Sequence, residues 1–499
     1  MALDPRVVEA VERVEGVALR AVERLEERRR GGRAARASGA SGASDAAPRV
    51  PPGPPPRRRV LGSLGYYMRF LSDPFGFVAG RFARYGDIYY APSADGGLYA
   101  IRHPDHLQEV LVTRAADHRK THTAFTAMAE VLGTGLLTSD GPAWRRHRRM
   151  IQPAFSHARL AGYAAEMVDE AARAADRLRG AGERDVAEEM MELTLRAVSR
   201  TLFSHDVGDQ AATFGRAMTA LQDRLAAPGL VPGWLPTPQR ARLRRAMAEL
   251  DAILYALIAS RRRAGPDAPR DLLQTLVTAV DEEGDGERLT EREVRDELIT
   301  LFLAGHETTA NALAWTFYLL SQHPEVEARL HAELDAVLGP PSLGAPPRPP
   351  AYDDLPRLPY VEQVIKESLR LYPPAFMVVR RAHQDTEIGG FPVPAGSEIV
   401  VWTYLTHRDP RWFPEPDRFR PERFAPDEEA KIPKLAYAPF GAGPRACIGK
   451  SFAMVEARLL LATLAHRLRF ELPPGHHVEP EPRVTLRPKG GLRMTIRPR

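Results

Sequence analysis

The sequence holds one cysteine, Cys447, in the stretch APFGAGPRACIGKSFAMVEARLLLATL. Three glycines, Gly441, Gly443 and Gly449, crowd it. Arg445 lies two residues before it, and an apolar-periodic segment (Phe452, Val455, Leu459, Leu464) begins just after it. That order reads as a thiol at the N-terminus of a helix, where free N–H groups and the helix dipole lower the thiol pKa and stabilise the thiolate. Glycines let the backbone approach a flat partner closely and turn N–H groups toward sulfur. An arginine beside such a site can neutralise an anionic group of a cofactor. A lone cysteine is otherwise most often a buried, inert small hydrophobe. Zinc is disfavoured, because no second cysteine and no clustered histidines supply four ligands.

A second cluster lies in EREVRDELITLFLAGHETTANALAWTFYLLSQ, which reads as one long helix. Thr290 and Glu293 form a capping box at its start, and Pro324 marks its end. At about 1.5 Å per residue it spans roughly 48 Å. Its apolar middle carries Ala304, Gly305, His306, Glu307, Thr308 and Thr309. Buried polar groups cost free energy unless paired, and a glycine inside a helix costs about 1 kcal/mol; together these penalties point to function. Threonine hydroxyls that bond back to carbonyls bend a helix and open a groove where dioxygen and water can sit. The alternative is that Thr308 and Thr309 merely back-bond. A third pair, Glu367 and Arg370, sits three residues apart in VIKESLRLYPP, a spacing that by itself supports only a surface ion pair worth under about 1 kcal/mol.

The elements that must position these residues form a mainly helical protein with a smaller β region. β-prone pieces occur at GDIYYAPS and GLYAIRH. Long helical patterns run from Trp144 to about Leu338, and another from Tyr360 to Leu371. Short extended pieces follow around Glu387–Val401, then a Pro-rich, turn-laden stretch from Asp409 to Pro433. The last long helix begins after Cys447, and the end is β-like. No internal repeat is found.

Residues 1–59 stand apart from the 60–499 body. They hold 13 Arg, no Lys and 8 acidic residues, whereas the remaining residues balance at 56 basic and 56 acidic groups. The body is therefore not a nucleic-acid binder by composition. Val7, Val11, Val14, Ala18, Val22 and Leu25 mark an amphipathic helix over residues 4–30, which could touch a membrane surface or a partner, or be a solvated extension. An Ala/Gly/Ser/Pro-rich linker carries the chain on to Arg59. One cysteine permits no intrachain disulfide, no apolar run reaches 18 residues, and no signal sequence is read. A cytoplasmic monomer is the expectation.

The cysteine stretch resembles the haem-binding signature of the cytochrome P-450 family, F-x-x-G-x-R-x-C-x-G, at Phe440, Gly443, Arg445, Cys447 and Gly449. The long helix resembles the family's A-G-x-E-T-T oxygen-activation motif, and Glu367 and Arg370 its E-x-x-R motif. HRDPRWFPEPDRFRPERF resembles its meander at Phe419, Pro421, Glu422, Arg423 and Phe424, and WRRHR its W-x-x-x-R helix. The motifs run in the family's order, and the resemblance covers roughly residues 60–499. It implies heme b (iron protoporphyrin IX) between the long helix and the helix after the Cys loop, with the Cys447 thiolate as axial ligand. Such a thiolate favours O–O cleavage.

By the same resemblance Thr308 and Glu307 handle oxygen and protons, while Trp144, Arg148, Ala304, Arg380, Phe440, Arg445 and Gly449 contact the cofactor. Arg148, Arg380 and Arg445 meet the propionates, with Arg381 the rival of Arg380. Arg423 completes a structural trio with Glu367 and Arg370, and His306 has no catalytic role. The pocket lining implied is about His118–Leu136, Leu221–Leu235, Leu303, Ala375–Val379 and the loop near Gly490. Those segments are apolar, so the substrate expected is hydrophobic: a fatty acid, terpenoid or steroid-like molecule. About fifty residues follow Cys447, too few for a flavin or iron–sulfur domain, so electrons are expected from a ferredoxin or flavodoxin with its reductase. Arg145, Arg146, Arg149 and Lys450 are the expected docking face. A peroxide-driven peroxygenase, a thiolate-haem isomerase or dehydratase, and a haem-based sensor or carrier are the competing readings. The Glu307–Thr308 pair argues against them.

Overall fold

The structure, a computed structural model, describes residues 50–55, 69–92, 97–121, 123–226, 237–281, 284, 286–340 and 348–499. The amphipathic 4–30 segment, most of the linker, and residues 227–235 of one expected lining segment lie outside the described residues. The main helices are α1 (Pro74–Tyr85), α2 (Thr123–Leu132), α3 (Gly141–Ile151), α4 (His157–Leu178), α5 (Val186–Phe203), α6 (Ala211–Ala226), α7 (Pro238–Ala264), α8 (Glu291–Gln322), α9 (Pro324–Leu338), α10 (Pro359–Leu371) and α11 (Lys450–Arg467). The architecture is mainly helical with small sheets, as expected.

The capping box of α8 is closed in both directions. Thr290 Oγ1 accepts the Glu293 N–H at 3.2 Å, and Glu293 Oε2 accepts the Thr290 N–H at 2.8 Å. Its far end stops at Gln322, because Pro324 has no N–H to continue the ladder and instead starts α9. From Val294 to Leu320 α8 is buried almost all round, the pattern of a core helix. Helix α5 packs along one side of it, and α11 packs against both α8 and α4. Trp315, fully buried, stacks on Tyr372 with centroids 4.0 Å apart and donates its indole N–H to the Leu486 carbonyl at 3.1 Å.

The β region is a five-stranded sheet in the order β1 (Ile88–Ala91), β2 (Leu98–Ile101), β8 (Glu398–Val401), β5 (Val378–Ala382) and β3 (His118–Arg119). Only the β2–β8 pair is parallel. A second sheet joins β4 (Gly182–Asp185), β12 (Arg493–Pro498) and β9 (Leu468–Glu471), and there are two hairpins, β6 (Thr386–Ile388)–β7 (Phe391–Val393) and β10 (Pro480–Pro482)–β11 (Leu486–Pro488). The sequence reading missed β3 and β4. Each is short and polar, and each is a strand only because a distant segment pairs with it: β5 for β3, β12 for β4.

Candidate functional site

The cysteine loop is held against residues 109–113. Gly443 adopts φ +68°, and a Cβ there would lie 1.8 Å from the Leu111 carbonyl oxygen, so only glycine fits. The Cys447 N–H donates to the Phe440 carbonyl at 2.9 Å, closing the loop, and Gly449 is the N-cap of α11. The Cys447 side chain has an exposed side, yet protein atoms crowd it from the others. Burial raises its thiol pKa above the ordinary value, with the Gly449 N–H, Arg148 and Lys450 opposing. This corrects the sequence expectation of a lowered pKa: loss of solvation outweighs the helix terminus. A coordinating metal deprotonates a thiol outright, so ligation rather than the loop supplies the anion.

Four cations converge beside this loop. Arg148, on α3, donates to the Ala446 carbonyl at 2.9 Å. Arg380, on β5, is 7% exposed, and its guanidinium donates only to its neighbour's carbonyl, Val379, at 2.9 Å. Burial holds it down at about 10. Arg445 stacks over the Trp144 ring at 4.2 Å and pairs with Asp140; burial, then the nearby Arg119, hold it at about 10 as well. Lys120 Nζ donates to the Leu137 carbonyl at 3.1 Å. Burial first, then Arg380, Arg445 and Arg148, push its ammonium down to about 7. Among the described residues, Asp140 is the one carboxylate that ion-pairs with any of these four. The buried His118 adds an Nε2 with no hydrogen-bond partner among the described residues. Arg381, the rival of Arg380, pairs with Glu398 at 3.0 Å instead.

On the oxygen-side helix, Ala304 is exposed in the middle of a buried run, and Gly305 and Thr308 are half-buried. Helix α8 runs unbroken here. The opening therefore comes from the small Ala304 side chain rather than from a broken helix. Gly305 has its own reason: a Cβ would come within 3.1 Å of Val198 on α5. Thr308 and Thr309 both bond back, to the Ala304 and Gly305 carbonyls at 2.7 and 3.1 Å. Glu307, 2% exposed, receives Gln222 and Thr485 on Oε1. His306 faces away, its Nδ1 on the Phe302 carbonyl at 2.5 Å.

Glu367 and Arg370 are fully buried rather than a surface pair, with a two-pronged contact at 2.7 and 2.8 Å. Arg370 also donates to the carbonyls of His407, Pro416 and Arg418, and Arg423 Nε meets Glu367 Oε1 at 3.2 Å. The trio thus pins the meander that leads to the cysteine loop.

Two expectations need correction. Of the four docking cations, Arg146 is tied to Glu293 at 2.8 Å and Arg149 to the buried Asp281 at 2.7 Å. Arg145 and Lys450 remain exposed and make no ion pair among the described residues. The loop near Gly490 packs on Asp185, whose Oδ1 accepts the Leu492 N–H at 2.9 Å. The hairpin residues that reach α8 are Thr485 and Leu486. Sequence reasoning also missed Lys120, Asp140, Gln222 and Thr485: the last three pair across 85 to 305 positions, and Lys120 bonds to Leu137 and Asp140, 17 and 20 positions on. It missed Glu456 on α11 too, a fully buried carboxyl pushed up to about 8 by burial, against the neighbouring Thr309 hydroxyl.

Comparison with known proteins gives a consistent result. The family model described as Cytochrome P450 matches residues 51–495. Cyclooctatin synthase of Streptomyces melanosporofaciens is 36% identical over 441 residues, covering 87% of this chain and 94% of that protein. Cyclooctat-9-en-7-ol 5-monooxygenase of the same organism is 39% identical, covering 83% and 88%. Pentalenene oxygenase of Streptomyces avermitilis is 33% identical, covering 87% and 95%. The crystal structure of the cytochrome P450DA heme domain superposes with a TM-score of 0.77 at 27% identity, over 91% of this chain and 98% of that one.

Proposed function

The chain belongs to the cytochrome P450 family and is a haem-thiolate monooxygenase; from that premise we propose that it inserts one oxygen atom from dioxygen into a terpenoid. The observation that carries the substrate class is the kinship just described, in which relatives at 33–39% identity over most of both chains are terpenoid oxygenases. The exposed Ala304, Ala375 and Met377 offer an apolar surface consistent with such a substrate. Fatty acids and steroid-like molecules are the weaker candidates, since none of the three relatives described above is named for them.

The residues present fit the cofactor. Haem supplies an iron that activates dioxygen when a thiolate ligates it. Cys447, the chain's one cysteine, provides that thiolate. Arg148, Arg380 and Arg445, joined by Lys120, hold the two propionates: a group of buried cations with a single carboxylate is stabilised by an arriving dianion. Trp144 braces Arg445 from below, Phe440 and Gly449 shape the loop around sulfur, and Ala304 leaves room for a flat face. With haem bound, Thr308 would present its hydroxyl on the oxygen side, and Glu307 would supply protons. Electrons come from a separate ferredoxin or flavodoxin with its reductase, docking near Arg145 and Lys450.

The test is a spectral titration of the holoprotein with cyclic sesqui- and diterpenes, long-chain fatty acids, steroids and small polar compounds. Terpenes should shift the haem band at the lowest concentrations, and electron-driven turnover should yield a hydroxylated terpene. Shifts given only by small polar compounds would sink the reading.

A further inference from the structure

Side chains from two other elements and from its own helix surround the Glu307 carboxyl, and their donor chemistry distinguishes its two oxygens. Oε1 accepts from Gln222 Nε2 on α6 at 2.8 Å and from Thr485 Oγ1, between β10 and β11, at 2.5 Å. Oε2 is buried and has no hydrogen-bond partner among the described residues.

The direction of both bonds is set from behind. Arg487 Nη1 donates to Gln222 Oε1 at 2.9 Å. A guanidinium has no acceptor, so the Gln222 carbonyl must face Arg487 and its NH2 must face Glu307. Asn311 Nδ2 donates to Thr485 Oγ1 at 3.0 Å, which leaves the Thr485 hydroxyl proton for Glu307. Two donated protons occupy both lone pairs of Oε1. We infer that Gln222 and Thr485 are positioning residues that make Oε2 the proton-carrying oxygen of Glu307, with Arg487 and Asn311 fixing their orientation. The arrangement rests on the reading of Glu307 as the proton supplier and deepens it. It names the atom that carries the proton and the residues that select it.

The charged surroundings are sparse. His306, on the same helix, has its pKa lowered by burial and points elsewhere. From the hairpin, Arg487 and Arg483 both pair with Glu481, at 2.9 and 3.0 Å. From α6, Asp223 meets Arg483 at 3.5 Å, and Arg224 pairs with Glu130 at 3.6 Å. From α5, only the neutral Thr194 reaches in, to the His306 carbonyl at 3.0 Å. From α11, the buried Glu456 lies against the Thr309 hydroxyl of α8.

The experiment is an infrared difference titration of the holoprotein, with the protonated-carboxyl band of Glu307 identified by its loss in Glu307→Gln. Thr485→Val removes one donor at constant shape and should move that band's titration up by about one pH unit. Thr485→Ser, which keeps the hydroxyl, should restore it. Gln222→Glu keeps the side-chain shape, replaces a donor with a second acid and should move the titration further. In electron-driven turnover the same two variants should release several-fold more hydrogen peroxide per electron, while the reduced carbon monoxide spectrum stays as in the wild type. An unmoved band in both Thr485→Val and Gln222→Glu overturns the inference. Unchanged turnover and peroxide release in Glu307→Gln overturns the proton-supplier reading alone, since the infrared result stands independently of it.

Discussion

The molecule buries two groups of arginine side chains under opposite conditions. Around Glu367, the guanidiniums of Arg370 and Arg423 are matched by a carboxylate and four main-chain carbonyls. Beside the cysteine loop, Arg148, Arg380, Arg445 and Lys120 share one carboxylate, Asp140. The first group is complete within the chain. The second is not: burial depresses the pKa values of its cations, and for Lys120 repulsion by the three arginines adds to burial. A buried charge network that closes on itself serves the fold, whereas one with an excess of a single sign is arranged for something of the opposite sign.

Substitutions should therefore act with opposite sign in the two groups. Glu367→Ala strands two buried guanidiniums and should lower the stability of the protein by about 3–5 kcal/mol in urea unfolding. A loss within about 1 kcal/mol would mean the trio is not a closed structural unit. Arg380→Met should leave the haem-free protein as stable as before or more so. It should speed transfer of haem to a scavenger protein by about 10- to 100-fold, the worth of one charged hydrogen bond. Equal destabilisation with and without haem would erase the distinction.

The third effect is one of pH. An unfolded lysine keeps its proton up to about pH 10.4, whereas folded Lys120 releases it at about 7. Between those values the unfolded chain binds more protons, so this residue makes the haem-free protein more stable as pH rises across that window. The urea midpoint of the wild type should rise relative to that of Lys120→Met between about pH 7 and about pH 9, and a constant difference would place Lys120 outside the cluster.

The smallest effect concerns the surface. Arg145→Glu and Lys450→Glu should slow reduction by the electron donor several-fold at low salt and weaken its salt dependence. Arg149→Glu should act mainly on stability, since its guanidinium is spent on Asp281. Equal slowing by all three would restore the wider docking face.

Much of this was legible because some interactions are local in sequence. The capping box of α8 lies within three residues, and the glycine pattern around Cys447 within ten. The strand at Glu398–Val401 carries its own run of β-branched residues. Where reading failed, the deciding partner was far away. The polar pieces β3 and β4 became strands only by pairing with β5 and β12. The thiol pKa of Cys447 was expected to fall from its helix terminus, but burial, which depends on everything folded around it, took it the other way.

The sequence by itself determined the ligand type, the helix that carries Glu307 and Thr308, and the reaction class. Those follow from residue identities at fixed short spacings, which backbone geometry turns directly into local structure. Only the tertiary structure decided which charges stay unbalanced and which are neutralised. It separated Arg380 from Arg381, tied Arg146 and Arg149 to carboxylates, and brought Lys120 and Asp140 to the cysteine loop. It also set Gln222 and Thr485 on one oxygen of Glu307. Solvation and pairing depend on what lies within a few ångströms in space, and residues hundreds of positions apart supply it.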